Sequence, residues 1–212
     1  MSGARQGLAG REVGGRFQGL VDLINQGYEQ TGRAVITRKA VPGRFLQRRG
    51  RRLSPSAEVL ALNGQIADGG ELRLFVPESK AEPDYGGVLA PQGRAIFFDA
   101  KSTKRGRIDY DNLHPHQVAY LRRVAAMGAL AGFLVEFSRS EEVFFVPIQL
   151  IAPETGGARR RSLGLDVLHE ILEPVRPGTG LVVLDYLAAL DRLEGRYGVG
   201  MSGLRLPTAL RV

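Results

Sequence analysis

Apolar residues recur at helical spacing from Phe17 to Gln30, with Phe17, Leu20, Val21, Ile24 and Tyr28 on one side and Thr31-Gly32 closing the run. This pattern predicts a first helix. Ala34 to Lys39 reads as a strand stopped by Pro42, and Glu71 to Val76 alternates as a second strand would. Two short apolar runs, one through Tyr85 and Val88 and one through Ile96 to Phe98, flank Gly93 and predict an antiparallel hairpin. After a basic loop from Ser102 to Asp111, Asn112 to Gln117 opens a second helix with Pro115 in its first turn and Val118, Leu121, Val124 and Ala125 on one side. Ala129 to Phe137 and Val143 to Ile148 have the continuous apolar character of central strands. Leu165 to Leu172 and Leu181 to Leu193 predict a helical C-terminal region, and residues 197–212, with glycines from Gly198 to Gly203, a loosely ordered end. The order implies one α/β domain with a mixed sheet flanked by helices. No internal repeat and no heptad pattern interrupts it.

The hairpin carries the chemistry. Folded about Gly93, it sets Asp84 diagonally across from Asp99, and Asp99 and Lys101 project from one face because they lie two residues apart on a strand. Two carboxylates and a cation at a strand end suit a hard metal ion beside an activated water, the chemistry of metal-dependent phosphodiester cleavage. The bland alternative is a solvated hairpin with a surface ion pair. Ile96, Phe97 and Phe98 argue for a buried strand, where charges are rare unless paired or ligating.

Composition narrows the partner. A formal net charge of +7 over 212 residues points to a polyanion. Nucleic acid is favoured over an anionic membrane, because no apolar run reaches spanning length and no helix joins an apolar face to a basic one. Met1 to Gly10 lacks the apolar core of a signal peptide. With no cysteine there is neither a disulfide framework nor a zinc-thiolate site. The basic residues are nearly all arginine, whose planar fork suits phosphate, although a GC-rich genome produces the same bias. Arg38, Lys39, Arg44, Arg48, Arg49, Arg51 and Arg52 form a run without an acid, read here as a phosphate-tracking surface. Lys104, Arg105 and Arg107 follow the catalytic strand directly and are placed to hold the strand about to be cut.

Three words in the hairpin region carry a resemblance. Asp84-Tyr85-Gly86-Gly87-Val88, Phe98-Asp99-Ala100-Lys101-Ser102-Thr103-Lys104 and Asn112-Leu113-His114-Pro115-His116-Gln117 occur in the order and spacing of the RecU-type Holliday junction resolvases. Gly32 to Lys39 and Arg161-Ser162-Leu163 with Asp166 and Leu168 are also similar, so the resemblance spans roughly residues 12 to 190. It implies a PD-(D/E)xK nuclease core with a protruding stalk-like insertion at 43–82. The implied activity is that of a homodimeric, magnesium-dependent structure-selective endonuclease making paired symmetric nicks in four-way DNA junctions during recombination and repair. Mn²⁺ is expected to substitute for Mg²⁺, with no organic cofactor and no membrane partner, in the cytoplasm of a bacterium or of a phage host. By this resemblance Asp84 and Asp99 are metal ligands with the Ala100 carbonyl beside them, and Lys101 positions or deprotonates the attacking water. Thr103, His116 and Gln117 join the basic residues as DNA contacts.

Two departures stand out. Asp99 occupies a position where the family usually has glutamate, which keeps the charge and shortens the reach. In the first helix a glutamate is expected, but the chain reads Gly14-Gly15-Arg16-Phe17-Gln18, so an amide stands where a carboxylate would. Gln18 is therefore a candidate oxygen ligand, with Glu12 as a substitute if the helix begins earlier. The alternatives are a catalytically weak or silent junction-binding protein and a general duplex nuclease of the same superfamily. An RNA-binding protein fits less well, because no stacking aromatics interleave the basic runs.

Overall fold

The computed structural model describes residues 3–39, 43–46, 74–77, 82–151, 161–201 and 203–204, with side chains described from residue 15 onward except at 43–46 and 74–77. The chain divides into two units, residues 1–40 with 82–212, and residues 41–81. In the smaller unit, β2 (Gly43–Leu46) pairs antiparallel with β3 (Leu74–Pro77). The strand expected at Glu71 to Val76 is described over Leu74–Pro77, and the rest of the expected stalk lies outside the described residues.

The larger unit is α/β. Its five-stranded mixed sheet runs in the order β1 (Ala34–Arg38), β4 (Tyr85–Leu89), β5 (Arg94–Thr103), β7 (Leu130–Phe137), β8 (Glu142–Pro147). Only β5 and β7 are parallel neighbours. Residues of β5 alternate between two helical layers. Phe98 points to the side of α1 (Gly3–Gln30), in an aromatic cluster with Tyr85 at 4.9 Å and Tyr186 at 5.3 Å between ring centroids. Phe97 points to the side of α2 (Pro115–Ala126), with its ring 5.7 Å from that of Tyr120. Tyr28, Tyr85, Phe98, Phe133, Phe144 and Phe145 are among the fully buried side chains, and rings of this size dominate core energetics.

Several boundaries differ from the sequence reading. Helix α1 begins at Gly3 rather than Phe17. Glycines at 7, 10, 14 and 15 lower helix propensity there and leave no apolar period to read. Strand β5 runs to Thr103 because its parallel pairing with β7 continues to Thr103 opposite Phe137. The expected basic loop is thereby shortened. It also contains β6 (Arg107–Asp109), which pairs with β9 (Ser162–Gly164). Helix α3 (Leu165–Ile171) falls where expected. Helix α4 (Tyr186–Tyr197) starts five residues late because Asp185 caps it, accepting the Ala188 N–H at 3.0 Å. Within the stretch read as a loose end, Val199–Met201 form a 3₁₀ turn, and Met201 and Leu204 are buried. Residues 205–212 lie outside the described set.

Asp185 also joins distant parts of the fold. It accepts two hydrogen bonds from Arg33, at 2.7 and 3.1 Å, and one from the Tyr28 hydroxyl at 3.0 Å. Burial pushes its carboxyl up, but the Arg33 fork, the Ala188 amide and the Tyr28 hydroxyl outweigh this and hold it below the ordinary value. A depressed folded-state value contributes stability that is present above the unfolded carboxylate value of about 3.9 and lost as pH falls through the folded one. Asp185→Asn is therefore expected to lower the melting temperature at pH 7 and to flatten the acid limb of stability below about pH 4. Melting curves of both proteins across that range check this; parallel acid limbs would refute it.

Candidate active site

The register decides the geometry of the hairpin. Tyr85 pairs with Phe98 and Leu89 with Arg94, around a turn whose Gly93 adopts a φ of +67°. One step further, position 84 stands directly opposite 99, not diagonally. The Asp84 backbone N–H donates to Asp99 Oδ1 at 2.9 Å. Asp99 is fully buried, and its other oxygen, Oδ2, pairs with Lys101 Nζ at 2.7 Å. As the alternation predicts, Asp99 and Lys101 share a face.

Each carboxylate is further held by one glutamine, from opposite helical layers. Gln18 of α1 donates Nε2 to Asp84 Oδ2 at 3.1 Å, and Gln117 of α2 donates Nε2 to Asp99 Oδ1 at 3.0 Å. The Ala100 N–H lies 3.4 Å from Asp84 Oδ2. Burial first, and then the Asp99 charge, push the Asp84 carboxyl up; Lys101, the Ala100 amide and Gln18 only partly offset this. Two close carboxylates share one lysine in a poorly hydrated place.

That donor set fits a hard divalent cation, which prefers oxygen and would relieve the repulsion that holds Asp84 up. Among the described residues no group of three or more His, Cys, Asp or Glu side chains is arranged to hold a metal. The donors available are therefore the two carboxylates and neutral oxygens such as the Ala100 carbonyl. Glu12 lies in α1, six residues before Gln18, and its side chain is not among those described.

The expected DNA contacts divide into three groups. Arg38 ends β1, Lys39 follows it, and the two diverge to opposite sides of the sheet. Arg38 donates Nη2 to Gln18 Oε1 at 2.6 Å; Lys39 pairs with Glu82 at 2.5 Å and lies 4.9 Å from the centre of the Phe97 ring. Lys104 is exposed, while Arg105 and Arg107 both grip Asp109, at 2.6 and 2.7 Å, and hold its carboxyl below the usual range. Such exposed pairs are weak enough to exchange for phosphate. The Thr103 hydroxyl accepts the Arg105 N–H at 3.1 Å and so shapes this turn. His116 is half-buried and stacks on exposed His114, with ring centroids 5.6 Å apart. Gln117 is 5% exposed and faces the site, where it donates to Asp99. Arg44 lies in β2 without a described side chain, and Arg48, Arg49, Arg51 and Arg52 lie outside the described residues.

Sequence reasoning missed Asp22. It lies one helical turn beyond Gln18, accepts the Tyr85 hydroxyl at 2.7 Å and stands 3.8 Å from Arg38. The i+4 spacing from Gln18 was the available signal.

Comparison with known proteins places the chain in a family. The model of the family described as RecU, recombination protein U, matches residues 13–192. A Holliday junction resolvase RecU of Streptococcus pneumoniae (strain P1031) is 28% identical over 164 residues, covering 76% of this chain and 75% of that protein. Another, from Shouchella clausii (strain KSM-K16), is 27% identical over 173 residues, covering 81% of this chain and 75% of that protein. The matched span contains both carboxylates, the lysine and both glutamines, and on this evidence the chain belongs to the RecU family.

Proposed function

We propose that this chain is a Holliday junction resolvase, a Mg²⁺-dependent endonuclease that nicks opposed strands of four-way DNA junctions. The observation that carries the reading is the buried Asp99, joined to Asp84 on one side and to Lys101 on the other. Asp84, Asp99 and the Ala100 carbonyl would hold the cation. When bound, Mg²⁺ or Mn²⁺ supplies charge neutralisation at the scissile phosphate and stabilises the departing oxygen. Lys101 does the remaining work at the reacting centre. Its Nζ is anchored by Asp99 Oδ2 at 2.7 Å and is 28% exposed, so its remaining N–H groups can orient a water for in-line attack. Arg38, Lys39 and Lys104 would hold the phosphates on either side. Paired nicks require two such sites related by a two-fold axis, hence a homodimer. None of the described helices is long and apolar enough to cross a membrane.

End-labelled synthetic junctions and matched linear duplexes, incubated with Mg²⁺, Mn²⁺ or EDTA, test the reading. Symmetric nicks on the junction alone, lost in EDTA, are expected. Equal cutting of both substrates would identify a general duplex nuclease. Binding without cutting in either metal would identify an architectural protein, a reading that the neutral Gln18 favours.

A further inference from the structure

The hydrogen bonds of Gln18 define what the missing helix carboxylate leaves behind. Arg38 can only donate, and the ionised Asp84 carboxylate can only accept. The amide between them therefore has one sense, with oxygen toward Arg38 at 2.6 Å and nitrogen toward Asp84 at 3.1 Å. Reversing it would set donor against donor and acceptor against acceptor. The rest of the contact is built to match. Arg38 lies 3.8 Å from Asp22, and Asp22 accepts the hydroxyl of Tyr85, which is also 3.1 Å from the main-chain carbonyl oxygen of Gln18. Tyr85 is fully buried and follows Asp84 directly, so α1 is tied to the strand at the same point where Gln18 reaches the carboxylate.

We propose that Gln18 is a positioning residue and not a cation ligand: it orients the Asp84 carboxylate, and Arg38 sets the sense of its amide. This rests on the reading of Asp84 and Asp99 as the cation-binding pair. An amide oxygen engaged by a guanidinium at 2.6 Å is withdrawn from coordination, whereas the amide N–H group fixes the oxygen of Asp84 that it touches. Gln18 is to Asp84 what Gln117 is to Asp99, and the two act from opposite sides of the sheet. In this chain the helix that would carry a ligating acid carries an orienting amide.

Crystals of the full chain soaked in Mn²⁺ test this through anomalous scattering. The expected result is Mn²⁺ on Asp84 and Asp99, with the Gln18 oxygen still on Arg38. A Gln18 oxygen within about 2.5 Å of the metal would overturn the inference and leave the carboxylate pair standing. No metal on either carboxylate would remove both together. Steady-state cleavage of junctions at saturating Mn²⁺ gives a second readout. Gln18→Ala is expected to lower kcat roughly tenfold with KM for the junction unchanged, since the residue touches the carboxylate and not the DNA. Arg38→Met should lower kcat by a similar factor, with a rise in KM from the lost phosphate contact, and the kcat of the double variant should be no lower than that of the slower single one. Additive losses would overturn the role of Arg38; an unchanged kcat in Gln18→Ala would overturn that of Gln18.

Discussion

Lys101→Ala is expected to reduce junction cleavage by about 10³-fold while leaving junction affinity within a factor of about three. The asymmetry follows from where the side chain lies. Its ammonium is anchored to a fully buried carboxylate at 2.7 Å, a reach fixed by the strand, so in the proposed mechanism it serves the attacking water and adds little to binding. Affinity would come instead from many phosphate contacts spread over the other basic residues. The substitution also leaves Asp99 without its cation, and a buried charge that loses its partner costs stability, by about 3 kcal/mol where burial is complete. Here the lysine is partly exposed and two N–H donors to Asp99 remain, so the variant should still fold. Lys101→Arg separates charge from placement: it restores a cation beside Asp99 and recovers stability, but its bulkier fork should not recover the rate. The measurements are single-turnover cleavage, binding in EDTA and melting temperature on the three proteins. Near wild-type cleavage by Lys101→Ala would remove Lys101 from the mechanism.

Gly87→Ala should be the most damaging small substitution in the described sheet. A Cβ at this position would lie 2.0 Å from the Val35 carbonyl oxygen and 2.6 Å from the Ile36 Cα. Both are backbone atoms of β1, held by five successive register pairs between β1 and β4, and neither can rotate aside. Relief requires β1 to move away from β4 as a whole, at a cost of about 3 kcal/mol or more. For a chain of this length that corresponds to a melting temperature lower by about 10 °C. Because β1 also carries Arg38 and leads directly into Lys39, junction binding should weaken with it. Gly86→Ala is the control. Its Cβ would meet the Lys39 Cε at 2.8 Å and the edge of the Phe97 ring at 2.9 Å, both side-chain atoms that can shift. A loss of about 1 kcal/mol is expected there. Equal losses at the two glycines, measured by thermal or denaturant unfolding, would refute the argument from backbone approach.

Much of the fold was legible because its signals are local. The period of Phe17 to Tyr28, the apolar runs at Leu130 to Phe137 and Val143 to Val146, and the hairpin about Gly93 each state an element type and a buried face. Where propensity and period part company, the reading failed: the glycine-rich first half of α1 has no stripe to see, and Leu181 to Leu184 are apolar but precede the Asp185 cap.

The sequence alone determined that Asp99 and Lys101 share a face, since alternation along one strand admits no other arrangement. It also determined the family, through the order of three motifs. What the tertiary structure decided is which groups meet across long separations. Sequence pattern left Asp84 diagonal to Asp99, and the register set it directly opposite. Gln18 reaches Asp84 across 66 positions and Gln117 reaches Asp99 across 18, while Arg38 donates to the oxygen of the first of these amides. Arg105 and Arg107, bare positive charges in the sequence, share one aspartate in the fold. Periodicity reports the face that one element turns inward. Hydrogen-bond partners depend on how several elements meet, and only their packing specifies that.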